Sequence, residues 1–547
     1  MVMTSMEKQM KLVANVSTIV LTSVAIAAGV AWGQGRGGGG GWTTSRADAQ
    51  RTAWVQSDAA ISVESVQKPD FTLQWTTKVG HTPRETLSEG VSGNTAQLDP
   101  APGNVTGSAN NLYAYEIDTG AIAWTKHFDG PAAVATAACP GGLTSGVTRE
   151  TSLSEVVAGT ILGGRGGGAG GRGATGGVGA PGEGVPAELM VRAGRGGRGA
   201  SGGGAAGAGG RGASGPVQFA AVGASGRVGL RGAPADSYVV ASDGVLHSVG
   251  QAQGKELRKP MAFLPANANA SELIATGNMV YTSTINNCGG VANSVWALDL
   301  SSGTVNSWKS GASPVGEIAL SSEGRLYVAI GDGTAGGGSY SDAIVVLDPK
   351  TLAVADWFTM PGASFSSTPV IFTEGGREMV AAATKDGRVY LLNAASLGGA
   401  DHKTALATSA ATTTSKAWAP SELATWQDAA QTRWILLPAV GASNGIVAMK
   451  VVGTSLQPGW TANIASPSAP IVVNGVVFAL NSGSATAPAV LYALDGKTGK
   501  ELWTSGKAIK SFVKSAGLWA ISGQVYVATN DAMIYAFGTS MGRRLEP

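Results

Sequence analysis

The stretch Val490-Leu-Tyr-Ala493-Leu-Asp495-Gly-Lys-Thr-Gly499-Lys-Glu-Leu-Trp503 decides the fold. An apolar run enters a turn at Asp495, and a second run leaves it after Gly499 and ends on Trp503. Asp495 can accept hydrogen bonds from the amides of its own turn, and Gly499 supplies the positive φ that a tight turn needs. Ala493 is small where two sheets come close. Trp503 is large enough to wedge between them, with its indole N–H free to find a carbonyl. The pattern recurs: Leu112-Tyr-Ala-Tyr-Glu116 leads through Gly120 to Trp124, and Val295-Trp-Ala-Leu-Asp299 through Gly303 to Trp308. Looser copies start at Ile344 and Ile446 and reach Trp357 and Trp460, while the copies at 245–249 and 389–393 lack the Trp. After the first copy, successive copies lie roughly 43 to 57 residues apart, the length of one four-stranded propeller blade.

Each copy carries two further strands upstream. Arg325-Leu-Tyr-Val-Ala-Ile330 and Gln524-Val-Tyr-Val-Ala-Thr529 are examples of one; Ser366-Ser-Thr-Pro-Val-Ile371 is an example of the other. Such β-branched and aromatic runs between Gly, Asn and Asp turns read as strands. The last copy, Met533-Ile-Tyr-Ala-Phe537, has no Trp-bearing strand after it, and Phe71-Thr-Leu-Gln-Trp75 supplies the missing piece from the other end. Closing the ring in this way leaves no sheet edge free. The expected fold is therefore all-β: an eight-bladed β-propeller with four-stranded blades, its last blade completed by the N-terminal strand. Trp75, Trp124, Trp308, Trp357, Trp460 and Trp503 are expected to pack between blades, with an aromatic row for stacking a sugar or quinone as the alternative.

The run Ala493 to Trp503 resembles the tryptophan-docking motif of pyrroloquinoline-quinone (PQQ) dehydrogenases. The resemblance extends over 42–538 apart from a glycine-rich block, and it implies a propeller with W-shaped blades. For an enzyme it would also imply a quinone in the central funnel beside a ring of adjacent cysteines, a Ca²⁺ site of Glu, Asn and Asp oxygens, and an Asp base. No Cys-Cys pair occurs, none of those positions can be assigned, and there is no Cys-x-x-Cys-His for covalent haem. The same repeat occurs in non-catalytic proteins, including an outer-membrane assembly factor of bacteria. Four other segments resemble a group of exported bacterial propeller proteins: Arg46-Ala-Asp-Ala-Gln-Arg51, Ala138-Cys-Pro-Gly-Gly142, Leu397-Gly-Gly-Ala-Asp-His402 and Leu423-Ala-Thr-Trp-Gln-Asp428.

At the N-terminus, Lys8 and Lys11 precede an apolar run from Leu12 to Val30, with small residues before Gln34. This is signal-peptide order, and a retained anchor is the alternative. The expected organisation is a signal peptide at 1–33, a Gly-rich linker at 34–41, the propeller at 42–538 and a tail at 539–547. A Gly/Arg/Ala-rich insertion at 163–232 interrupts the propeller, with too little apolar surface to fold. Export permits oxidation, so a disulfide between Cys139 and Cys288 is expected, with two free thiols as the alternative.

A formal charge of +2 gives no field for nucleic acid. His81, His127, His247 and His402 have no zinc-pair spacing. Asp332 lacks the acidic spacing of a calcium loop, and Asp243-Gly244 and Asp386-Gly387 read as hairpin turns. The segment from Ser396 to Gly441 is long for a blade connection; its His402, Trp418, Trp426 and Trp434 form the candidate ligand loop. The leading functional expectation is a monomeric, exported, non-catalytic scaffold with a protein or cell-envelope partner. The alternatives are a PQQ- and Ca²⁺-dependent dehydrogenase of alcohols or sugars, and an extracellular carbohydrate-binding module.

Overall fold

The computed structural model describes residues 42–539 apart from 57, 80–90, 93–101, 108, 132–135, 137, 140, 152–235, 252, 311–315, 332–339, 413–421, 441–444 and 515–516. The expected signal peptide, linker and glycine-rich insertion, and all but the first residue of the tail, lie outside the described residues. Among the described residues there is no α-helix, only single 3₁₀ turns at Cys288–Gly290 and Gly399–Asp401. No helix among them is long and apolar enough to cross a membrane.

Within the blades the repeat strands pair antiparallel with their neighbours. The Trp503 blade runs through Ile471–Val473, Val476–Asn481, Val490–Asp495 and Glu501–Thr504. The expectation of an eight-bladed ring of four-stranded blades is corrected to seven blades. Seven blades are described through all of their strands, and two of these sheets have five strands: Trp54–Val55 adds to the Trp503 sheet, and the Trp308 sheet holds a divided inner strand. Around Trp124, Val91–Ser92 and Pro102–Gly107 pair ahead of Asn111–Glu116 and Ile122–His127, but the side chains of the first two strands are not described. The physical reason lies in the sequence from 91 to 107. It carries Gly93, Gly103, Gly107, Pro100 and Pro102 and little apolar alternation, a poor basis for a packed blade.

Thr72–Lys78 pairs antiparallel with Met533–Gly538, and Thr76 stands opposite Tyr535, so the first ordered long strand completes the last sheet. Each blade then docks on the next through its outer strand. The indole N–H of Trp75 donates to Ile117 O at 2.7 Å, that of Trp124 to Gln251 O at 2.8 Å and that of Trp460 to Gly496 O at 2.9 Å. Beneath those three indoles lie Gly120, Gly254 and Gly499, each at positive φ and each with no room for a Cβ. Trp308, Trp357 and Trp503 reach the next blade through rings instead: Tyr340 at 5.9 Å, His402 at 3.7 Å and Phe71 at 5.0 Å between centroids. In the turn itself, Asp495 Oδ1 accepts from the amides of Lys497 and Thr498 at 3.1 and 2.8 Å.

Cys139 and Cys288 are joined by a disulfide across a sequence separation of 149. The bond ties the segment ahead of Thr148–Arg149 to the Trp308 sheet. A cross-link over so long a loop removes entropy from the unfolded chain.

Two outcomes test this packing. Trp460→Ala is expected to cost about 3 kcal/mol in chemical denaturation. Gly499→Ala is also expected to destabilise, and the double variant should cost less than the sum, since both changes break one contact. Reducing the disulfide is expected to lower the unfolding free energy by about 2–4 kcal/mol, read as a shift of the urea midpoint.

Candidate functional site

The inner strand of each blade turns one edge toward the ring axis, and its amides need partners there. Residues 43–56 and 58 supply them, meeting seven sheets in turn. Thr43 O accepts from Arg149 N, and Thr44 Oγ1 donates to Leu273 O at 2.7 Å. Ala49 O, Gln50 O, Thr52 O and Ala53 O accept from the amides of Leu320, Ile371, Thr425 and Val472. Trp54–Val55 then pairs parallel with the inner strand at Val472 and Val473, and Asp58 Oδ2 accepts from Gly523 N at 2.8 Å. Such a path needs sharp local bends. Arg46, Ala47, Arg51 and Ala53 all sit at positive φ, a costly conformation for side-chain-bearing residues that this many partners can hold in place.

Two arginines of this axial thread are fully buried. Arg46 Nη2 donates to Leu423 O at 3.0 Å and Pro470 O at 2.7 Å. Arg51 donates to Ile318 O and Ser45 O, and its Nε stands 3.0 Å from Glu317 Oε2. Ser45 Oγ donates to the other Glu317 oxygen at 2.8 Å. Thr368 links the Glu317 backbone to the Glu422 carboxylate: its Oγ1 accepts from Glu317 N and donates to Glu422 Oε1, both at 2.9 Å. Burial, and then the charge of Glu317, push the Glu422 carboxyl up to about 8 against the pull of Arg46, Thr368 and Arg51. Burial also raises Asp48, despite its bonds to Thr52.

These glutamates went unnoticed in the sequence, although a signal exists. Ser271-Glu-Leu-Ile274, Gly316-Glu-Ile-Ala319 and Ser421-Glu-Leu-Ala424 repeat one pattern just ahead of or into three inner strands. The segment Arg46 to Arg51, singled out by resemblance alone, proves to be the core of the thread. The candidate ligand loop is not brought together as a loop site. Trp426 and Trp434 lie in paired strands, 3% exposed, stacked at 6.4 Å. His402 stacks on Trp357, and its Nδ1 lies 3.1 Å from Asp356 Oδ1. Trp418, His81 and Asp332 lie outside the described residues. His127 bonds Asn111 and His247 bonds Glu256.

The axial residues do not fit the Ca²⁺ and quinone that the resemblance implies for an enzyme. The carboxylates there already engage Arg51, Ser45 and Thr368, and two guanidinium groups share their space. Among the described residues no group of three or more His, Cys, Asp or Glu side chains could hold a metal ion.

Arg51→Met is expected to cost about 3–5 kcal/mol, because it leaves the Glu317 carboxylate without its charge partner. Glu317→Gln in the same chain should recover part of that loss, as read by urea denaturation.

No family model matches the chain, and no curated protein matches it. Solved structures do. The quinohemoprotein alcohol dehydrogenase of Comamonas testosteroni is similar with a TM-score of 0.52 at 13% identity, over 93% of this chain and 82% of that one. A quinohemoprotein alcohol dehydrogenase of Pseudomonas putida HK5 gives 0.52 at 12%, over 93% and 81%. A europium-containing methanol dehydrogenase gives 0.51 at 11%, over 92% and 98%. At such identities the likeness is one of fold: this chain has the β-propeller fold of the quinoprotein dehydrogenases.

Proposed function

We propose that this chain is an exported, non-catalytic propeller acting as a binding or assembly scaffold for a protein or cell-envelope partner. One observation carries the reading. The inner edges of the blades, which line the axis where an enzyme of this fold would hold its quinone, are bonded by residues 43–56 and 58, with Arg46 and Arg51 buried against carbonyls and Glu317. A fold of this kind hosts unrelated functions, so the function has to be argued from the site. Here the site's polar groups are spent on holding the chain itself. The disulfide between Cys139 and Cys288 supports export, because such bonds persist in oxidising compartments.

The test is reconstitution of the full chain with pyrroloquinoline quinone and Ca²⁺, followed by dye reduction over a panel of alcohols and sugars. No rate above the quinone-free control is expected. Quinone-dependent turnover of any substrate would overturn the scaffold reading in favour of a dehydrogenase.

A further inference from the structure

One joint of the ring is fastened differently from the rest. The copy at 245–249 has no docking indole, and its outer strand, Met261–Ala262, offers the next blade a thioether instead. The Met261 methyl carbon lies 3.6 Å from where a Cβ on Gly303 would stand, and Gly303 holds the turn place that Gly120, Gly254 and Gly499 hold beneath indoles. A thioether is flexible and donates no hydrogen bond, so the contact is softer than an indole's. The other copy without a Trp, at 389–393, is braced by Arg433 of the following blade, which donates to Thr373 O at 3.0 Å and stands over Phe372 at 5.3 Å. At the Met261 joint the brace is covalent. Cys139, ahead of the inner strand Thr148–Arg149, is bonded to Cys288 of the Trp308 blade. Around that bond Asn269 and Asn286 donate through Nδ2 to Ala138 O at 3.2 and 2.9 Å, and Ala270 N donates to Thr144 Oγ1 at 2.9 Å. Nearer the axis, Thr151 N donates to Ala275 O of the Trp308 sheet at 2.8 Å.

We propose that this joint is redox-sensitive: the Cys139–Cys288 bond locks the Met261 blade to the Trp308 blade, and its reduction by a dithiol loosens the ring there while the other joints keep their grip. Cys139 is half-buried whereas Cys288 is 3% exposed, so an incoming thiolate reaches the bond from the Cys139 side. The thiolate attacks Cys139 Sγ, the Cys288 sulfur leaves and takes up a proton, and the second thiol of the reductant resolves the mixed disulfide. Two electrons and two protons pass from the dithiol, which becomes a disulfide, to the two cysteines. The hydrogen bonds that remain join exposed or half-buried groups and hold little by themselves. Leu246 and Val280 belong to one apolar cluster that spans the two blades, so the joint loosens without parting.

Hydrogen exchange of the folded full chain, with and without dithiothreitol, reads the joint. Reduction is expected to cut the protection of the Thr151 and Ala270 amides by about tenfold or more. The amides of Thr359 and Asn530, which bond His402 O and Phe512 O at the Trp357 and Trp503 joints, should keep theirs. A chain carrying Cys139→Ser and Cys288→Ser is expected to exchange like the reduced protein and to ignore dithiothreitol. A disulfide that dithiothreitol leaves intact in the folded chain, unchanged protection at Thr151 and Ala270 after reduction, or an equal fall at all four amides would overturn the proposal. Should the double variant fail to fold, the comparison of oxidised and reduced wild-type chain decides alone.

Discussion

A closed ring of sheets removes the outer edge problem between blades but creates an inner one. Each innermost strand faces the axis with amides and carbonyls that have no further strand to pair with. In this protein the chain solves the problem with itself. The carbonyls of Ala49, Gln50, Thr52 and Ala53 take amides from four successive blades, and the neighbouring contacts of Thr43, Thr44 and Asp58 extend the path to three more. Every blade along that path is tied to one short segment, so the ring cannot lose a blade without disturbing the thread.

The same constraint explains the buried charge. A guanidinium has five donors in a rigid fork and suits a site crowded with carbonyls. Arg46 and Arg51 use that fork on Leu423, Pro470, Ile318 and Ser45, and Glu317 balances one of the charges. Buried charges of this kind are tolerated only when paired and hydrogen-bonded. Their presence marks the axis as specifically built around the thread rather than loosely filled by it.

Around the rim, packing takes over from hydrogen bonding. Where the outer strand bears Trp124 or Trp503, its cross-strand partner is small: Ala114 or Ala493. In the 389–393 blade, one of the two without a docking Trp, the sizes are exchanged, with Leu391 opposite Ala407. The volume at the boundary is thus filled from the other strand, which is why a copy can lose its Trp and still pack. Above Trp357 a histidine replaces the next turn's usual contact: His402 stacks on the indole and binds Asp356.

What the sequence determined by itself was the local, repeated part. Strand alternation, the Asp495 turn, Gly499 beneath an indole and the pairing of the Trp75 strand with that of Tyr535 are all written in short windows, because the forces behind them act over a few residues or recur with the repeat. The blade count was less legible, because counting copies treats every copy as equal, and the stretch from 91 to 107 is too rich in glycine and proline to match the rest. The candidate ligand loop failed for a different reason: Trp426 and Trp434 look available in a list of residues, and only strand pairing shows them buried. The axial site was decided by tertiary structure alone. Arg51 and Glu317 lie 266 positions apart in the sequence, Arg46 and Pro470 lie 424 apart, and no periodicity links them. They meet because closing the ring brings the start of every blade to one axis, where buried polar groups must find partners or be lost from the fold.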